Sequence, residues 1–471
     1  MVREELSITF ALSSKDTQML LRLILENFLS FDTAQEFNMF PNLKREGNTH
    51  HIYTEKAIPL LKQAAIYGNN AAGKSNLIKG IDMLRSFAVG EAFLSKDIIE
   101  RHTYRLRKDK ATRPIELLVE FEAEEQYFIY DVALSHEGIE REDLYISGLG
   151  KENILLYHRT FEVVELGATL LSHQEEQWKH TKEIVKQMLN ESHRYSSFLS
   201  LLKKFPVLQN ENLENASRWF TKQLQIIHIH SELPQLIALL DKDPNILEFA
   251  NRIFSELSIG VDGVNVQSTD AEEWVRKHPN ALSPQTLQDL QTDKTFSAYS
   301  SPNRLIFTAL MENGQKKIQE LLFKQMSQEG TFNLDIQDQS DGTVRILTLL
   351  PAIYAAMMSE TTVFIDEINY CIHPKLLFDL VRFFATSQTK GQVIFSTHET
   401  ELMEQNRLLR TDEIWLVDKK EGQSLLYSLN EFKVHNTISI RRGYREGRFG
   451  GSYRGSINAY QDEELSLQQS N

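Results

Sequence analysis

Gln63-Ala-Ala-Ile-Tyr-Gly68-Asn69-Asn70-Ala71-Ala72-Gly73-Lys74-Ser75-Asn76-Leu77 reads as a strand, a tight loop and the start of a helix. The run before Gly68 has strand character, and Leu77, Ile78, Ile81, Leu84 and Phe87 recur at helical spacing behind the loop. Between them lies Gly-x4-Gly-Lys-Ser. Its glycines let the backbone N–H groups of residues 68–76 curl around an anion, at a helix N-terminus whose dipole favours negative charge. Lys74 is then placed to reach the β- and γ-phosphates, and the Ser75 hydroxyl to ligate Mg²⁺. Chance yields this pattern in roughly one or two chains per hundred of this length, and the flanking strand and helix make chance rarer still. A nucleotide with Mg²⁺ is the expected ligand.

Thr362-Val-Phe-Ile-Asp366-Glu367 supplies a second half: an apolar strand ending in two carboxylates. Asp366 is expected to hold the metal through water, and Glu367 to polarise the attacking water. Taken alone this is weak, because strand ends often carry solvated acids. The pairing with Lys74 gives it chemical content. Two smaller signals follow. Ser340-Asp341-Gly342-Thr343 opens a helix ahead of the Asp-Glu strand, where a hydroxyl and free amides either cap the helix or bind phosphate. Ser396-Thr397-His398-Glu399 ends the next strand, and a histidine there points into the crevice where open α/β sheets bind ligands.

The order of these pieces resembles the ABC-type ATPase heads of SMC, RecF and OLD-family proteins, and more closely the RecF-like ATPases of bacterial abortive-infection and antiphage systems, such as the ATPase subunits of the PARIS and Septu systems. The residues that carry the resemblance are Leu23-Ile-Leu-Glu-Asn-Phe-Leu-Ser-Phe31, Ala65 to Asn76, Ser340 to Thr343, Phe364 to Ile368 with His373-Pro374, Ser396 to His398, and Arg445-Glu-Gly-Arg-Phe-Gly450. The resemblance implies an α/β fold, a P-loop ABC-type ATPase head with an inserted, mainly helical lid domain. It further implies an ATP site where Ser340, Asp341, Gly342 and Thr343 form a degenerate signature, Glu367, Lys74 and His398 are catalytic, and His398 senses the γ-phosphate. A homodimer or higher oligomer, with a separate nuclease or toxin as effector, goes with it. Two features depart from the pattern: the signature is Ser-Asp-Gly-Thr, and no glutamine loop can be placed between Ser75 and Ser340.

Outward from these motifs, residues 1–18 read as an extension, 19–146 as the N-terminal lobe, 147–295 as the helical insertion, 296–436 as the C-terminal lobe and 437–471 as an Arg/Gly segment with a polar tail. In the lobes, 115–134 reads as a β-hairpin, and 331–336, 361–365, 392–395 and 413–417 as strands of a doubly wound sheet. The insertion rests on apolar residues at helical spacing, among them Trp178, Val185, Met188, Leu189, Phe205, Leu236, Leu240, Phe249 and Phe254. It lacks sustained heptads, so it resembles a compact lid rather than a long coiled coil.

With 51 Lys+Arg against 65 Asp+Glu the formal charge is −14, which argues against general coating of nucleic acid but leaves a local basic groove open. Arg101, Arg105, Arg107, Lys108, Lys110 and Arg113 form the densest basic run, either a solvated face or a contact for nucleic acid or an effector. The arginines and glycines of 441–455 divide the same way. His228-Ile-His230 alternates at strand spacing without a nearby third ligand. One cysteine, Cys371, closes no internal disulfide, and no apolar run is long enough to span a bilayer, so a cytoplasmic location without membrane contact is expected. The readings that remain are an ATP-driven switch over an antiphage effector, a RecF-like DNA-binding ATPase of repair, and a stand-alone NTPase.

Overall fold

The computed structural model describes residues 18–45, 47–91, 94–107, 113–171, 182, 194–202, 210–229, 234–278, 283–292, 294–300, 305–404, 408–433 and 439–452. At its centre is a six-stranded sheet in the order Leu224–Ile227, Thr362–Ile365, Gln392–Ser396, Gln63–Gly68, Ile414–Lys420 and Gln423–Ser428. The first five strands are parallel and the last returns as a hairpin. Every residue of Gln63–Gly68, Thr362–Ile365 and Gln392–Ser396 is buried, as inner strands covered on both faces must be.

Alternation along these strands feeds two cores. Ala64, Ile66, Phe364, Ile394 and Val417 face one side, while Ala65, Tyr67, Val363, Ile365, Val393, Phe395 and Leu416 face the other. The first side packs on helix Lys74–Val89 and a seven-stranded antiparallel sheet ordered Val164–Leu166, Ile154–Arg159, Gly138–Ile146, Gln126–Ser135, Ile115–Ala123, Gln18–Glu26 and Gln35–Asn38. The hairpin expected over 115–134 is there, closing on Ala123 and Gln126. The second side packs on helices Asp341–Met358, Pro374–Thr386 and Pro244–Leu257.

Three readings of the sequence need revision. First, residues 147–295 are not helical throughout. Strands Ile154–Arg159 and Val164–Leu166 extend the antiparallel sheet, and Leu224–Ile227 enters the central sheet beside Thr362–Ile365. These strands are too short to declare a period, and their partners supply the order. Trp178, Val185, Met188, Leu189 and Phe205 lie outside the described residues. Second, Gly330–Asp335 belongs to a separate antiparallel sheet with Gly263–Asp270, Gln315–Ser327, Leu305–Glu312 and Phe296–Ser300, not to the doubly wound sheet. A single alternating strand fits either, and the turn between Ser327 and Gly330 selects the hairpin. Third, part of the Arg/Gly segment is core. Helix Ile440–Arg445 buries Ile440 and Tyr444, Phe449 follows them in, and the Tyr444 ring meets Tyr67 edge-on at 5.9 Å. Gly450 and Gly451, at φ 75° and 64°, take left-handed backbone that lets the chain turn back against the sheet. Arg454 and Gly455 lie outside the described residues.

One buried carboxylate ties the insertion to the antiparallel sheet. Glu142 accepts from Tyr130 Oη and Tyr157 Oη, both at 2.9 Å, from Arg159 Nη1 at 3.2 Å, and from Phe198 N and Leu199 N at 2.8 and 3.2 Å. It thus anchors the short helix Phe198–Leu201 to strand Gly138–Ile146. Burial first, and then this carboxylate, push the Tyr130 and Tyr157 phenols well above their ordinary range. Among the described residues no helix is long and apolar enough to cross a membrane.

Candidate nucleotide site

The carboxyl ends of the parallel strands bring the two halves of the motif together. After Gly68 the loop turns through Ala71 at φ 62° and Gly73 at φ 122°, and the helix begins at Lys74. A side chain at Gly73 would collide with Ser424 Oγ and Ser30 Oγ, so glycine is required by space as well as by dihedral. Those two hydroxyls brace the loop from behind. Ser424 Oγ donates to Ala72 O and pairs with Ser30 Oγ at 2.7 Å, and Asn76 Nδ2 donates to Ser30 Oγ at 2.8 Å. Ser30 sits in the Leu29-Ser30-Phe31 stretch of the resemblance, whereas Ser424 carries no sequence signal.

Lys74 is only 4% exposed, with Nζ donating to Gly68 O at 2.9 Å and Asn69 O at 3.2 Å. Burial lowers its ammonium pKa, while Glu367 and Asp366 pull the other way. The next residue reaches the second motif: Ser75 Oγ donates to Asp366 Oδ1 at 3.0 Å. Asp366 Oδ1 also accepts from Ser396 Oγ at 2.7 Å, and Ser396 Oγ accepts from Glu367 N at 2.7 Å. A hydroxyl and a carboxylate converging at a helix N-terminus are hard oxygen donors of the kind Mg²⁺ takes together with phosphate oxygens, so the residues fit the metal. No cluster of three or more His, Cys, Asp or Glu side chains suits a protein-only metal site among the described residues.

Glu367 is half-buried, with its backbone in left-handed conformation at φ 46°. His398 is exposed beyond strand Gln392–Ser396 and accepts from Asn369 Nδ2 at 2.9 Å, while Thr397 Oγ1 donates to Asn369 Oδ1 at 2.8 Å. Asn369, absent from the sequence reading, therefore ties the histidine to the turn after Glu367. Ser340 caps helix Asp341–Met358, its Oγ accepting from Thr343 N at 3.1 Å and pairing with Thr343 Oγ1 at 2.9 Å. Gly342 abuts Cys371 rather than the phosphate loop; a Cβ there would lie 2.5 Å from Cys371 O.

Strand Leu224–Ile227 runs parallel to Thr362–Ile365, with Ile227 level with Ile365, and exits at His228. His228 Nε2 pairs with Asp82 Oδ2 of the phosphate-loop helix at 2.9 Å, and that bond raises the imidazole pKa against the effect of burial. His230 lies outside the described residues. Two arginines of the basic run are ion-paired: Arg107 with Asp32, and Arg113 with Glu26 and Asp32. The open cavity of about 640 Å³ beside it is lined by Arg101, Arg105 and Arg113 but also by Asp97 and Glu100. Lys108 and Lys110 lie outside the described residues.

Residues 64–404 match the family model described as "AAA domain, putative AbiEii toxin, Type IV TA system". The chain belongs to this family. It is a P-loop ATPase of the AAA type. No curated protein matches it. Among solved structures it is similar to an SMC head bound to the C-terminal winged-helix domain of ScpA, at 12% identity over 90% of this chain and 99% of that one, with a TM-score of 0.43. It is also similar to the SMC head domain from Thermotoga maritima, at 12% identity over 87% and 98% of the two chains with a TM-score of 0.38. An SMC head from Pyrococcus furiosus, with an extended coiled coil and bound to the C-terminal domain of ScpA, shares 14% identity over 92% and 99%, with a TM-score of 0.39.

Proposed function

We propose that this AAA-family chain binds and hydrolyses ATP with Mg²⁺ at a site shared between two copies, and uses its nucleotide state to control a separate effector in an antiphage system. The observation that carries the reading is the hydrogen-bonded chain that starts at Ser75, next to Lys74, and runs through Asp366 and Ser396 to the amide of Glu367. Lys74 and the loop amides hold the phosphates, Ser75 and Asp366 hold the metal, Glu367 orients and deprotonates the attacking water, and His398 contacts the γ-phosphate. Mg²⁺, when bound, neutralises charge on the transferred phosphoryl group. The family description supports a toxin-linked setting. On this reading the nuclease or toxin activity belongs to the separate effector.

The test has two arms. Purified chain is assayed for Mg²⁺-dependent ATP hydrolysis with and without Lys74→Ala, and cells carrying the chain with or without its genomic neighbours are challenged with phage. Hydrolysis lost with Lys74, and protection that needs both the chain and a neighbour, are expected. Protection by the chain alone would replace the switch with a stand-alone NTPase.

A further inference from the structure

The peptide unit joining Asp366 to Glu367 is gripped from both sides. Its N–H, from Glu367, donates to Ser396 Oγ at 2.7 Å. Its carbonyl, from Asp366, accepts from Arg345 Nη2 at 3.0 Å, while Arg345 Nη1 donates to His228 O at 3.0 Å. Arg345 is 5% exposed. Its planar fork therefore spans the exits of two neighbouring parallel strands, fixing their carbonyls where a flexible point charge could not. Glu367 follows at φ 46°, a conformation that a residue with a Cβ adopts only when its surroundings impose it.

Arg345 lies on the helix that begins at Ser340, one turn beyond Gly342 and on the same face. Gly342 is the second point of contact, seated against Cys371 O in the turn after Glu367, where Tyr370 N bonds back to Glu367 O at 2.9 Å. The helix thus touches the 366–371 segment at two places that bracket Glu367.

We infer that Arg345 is a positioning residue: it sets the backbone from which Glu367 projects, and so links the seating of the Ser340 helix to hydrolysis in the same chain. This rests on the ATPase reading in which Glu367 acts on water. A plain core staple would hold the strands together without acting through Glu367, and the two roles separate in a double-mutant comparison.

The experiment measures kcat, KM and affinity for a fluorescent ATP analogue on the full chain, with melting temperature as a check on folding. Arg345→Met is expected to lower kcat by about 10- to 100-fold, with nucleotide affinity held within about twofold. In a Glu367→Gln background the same change should cost nothing further. Losses that multiply, or weakened ATP binding at unchanged kcat, would overturn the inference. Should Arg345→Met not fold, Arg345→Lys takes its place: a reduced kcat that vanishes as an effect in the Glu367→Gln background supports the inference, and wild-type kcat overturns it. Glu367→Gln hydrolysing at the wild-type rate would overturn the ATPase assignment of Glu367 as well, whereas a normal Glu367→Gln defect with multiplying losses sinks Arg345 alone.

Discussion

Lys74 is buried against carbonyl oxygens of its own loop, so its replacement by alanine removes both the proposed phosphate contact and two hydrogen bonds that shape the turn. Lys74→Ala is expected to abolish ATP binding, measured by calorimetry, with a modest loss of melting temperature. The carboxylates should separate by role. Glu367→Gln keeps the donors and acceptors around Asp366 intact, so ATP and Mg²⁺ should stay bound while hydrolysis falls by about 10² or more, the scale of a lost general base. Asp366→Asn retains an oxygen for the Ser75 and Ser396 hydroxyls but loses the charge, so it should raise the Mg²⁺ concentration needed for half-maximal activity. Lys74, Ser75, Asp366 and Glu367 were legible because each sits in a contiguous motif whose chemistry depends on adjacent residues. Ser30, Ser396, Ser424, Asn369 and Arg345 were not identified as site groups. A serine or arginine carries no meaning until the fold supplies its partner, and Ser424 meets Ser30 across nearly the whole chain.

Elements carry a different kind of information. The hairpin over 115–134 and the helix Lys74–Val89 declare themselves by period, since each element is long enough to repeat its pattern. Leu224–Ile227 does not, because four residues, three of them apolar, suit a strand or a helix equally, and only pairing with Thr362–Ile365 makes it a strand. The Glu142 clamp shows how such short pieces are held. Removing the carboxylate in Glu142→Ala leaves Arg159, two tyrosine hydroxyls and two helix amides without their buried acceptor. A loss of about 3–5 kcal/mol is expected in urea unfolding. The C-terminal helix behaves likewise. The glycines and arginines of 441–455 suggest a free arm, yet Tyr444 packs on Tyr67 in the strand that feeds the phosphate loop. Tyr444→Ala should cost about 3–5 kcal/mol, as for other buried aromatics, and truncation before residue 440 should lower ATP hydrolysis together with melting temperature. Unchanged hydrolysis in a folded truncation would return the segment to the role of an independent arm.

At the scale of the molecule, the described parts of the ATP site are unequally placed. The phosphate loop, the Asp-Glu strand and Ser396 converge within one chain, whereas Ser340 bonds within its own helical turn and Gly342 faces Cys371. On the proposed function a second copy would present this helix start to the nucleotide, so that one interface would contain two sites, each built from the loop of one chain and the signature of the other. A specific outcome follows from that geometry. A Lys74→Ala chain lacks a working loop but offers an intact signature; a Ser340→Arg chain has the loop but blocks its partner's site. Each alone should be inactive as a homodimer. Mixed in equal amounts, half of randomly paired dimers are heterodimers, and each of these holds one site with both parts intact. If the two sites fire independently, the mixture should recover about one quarter of wild-type activity, because half the dimers carry one good site out of two. Recovery near zero in a verified heterodimer would mean that both sites must close together, and Ser340→Arg active on its own, with Lys74→Ala inactive, would place the whole reaction within a single chain.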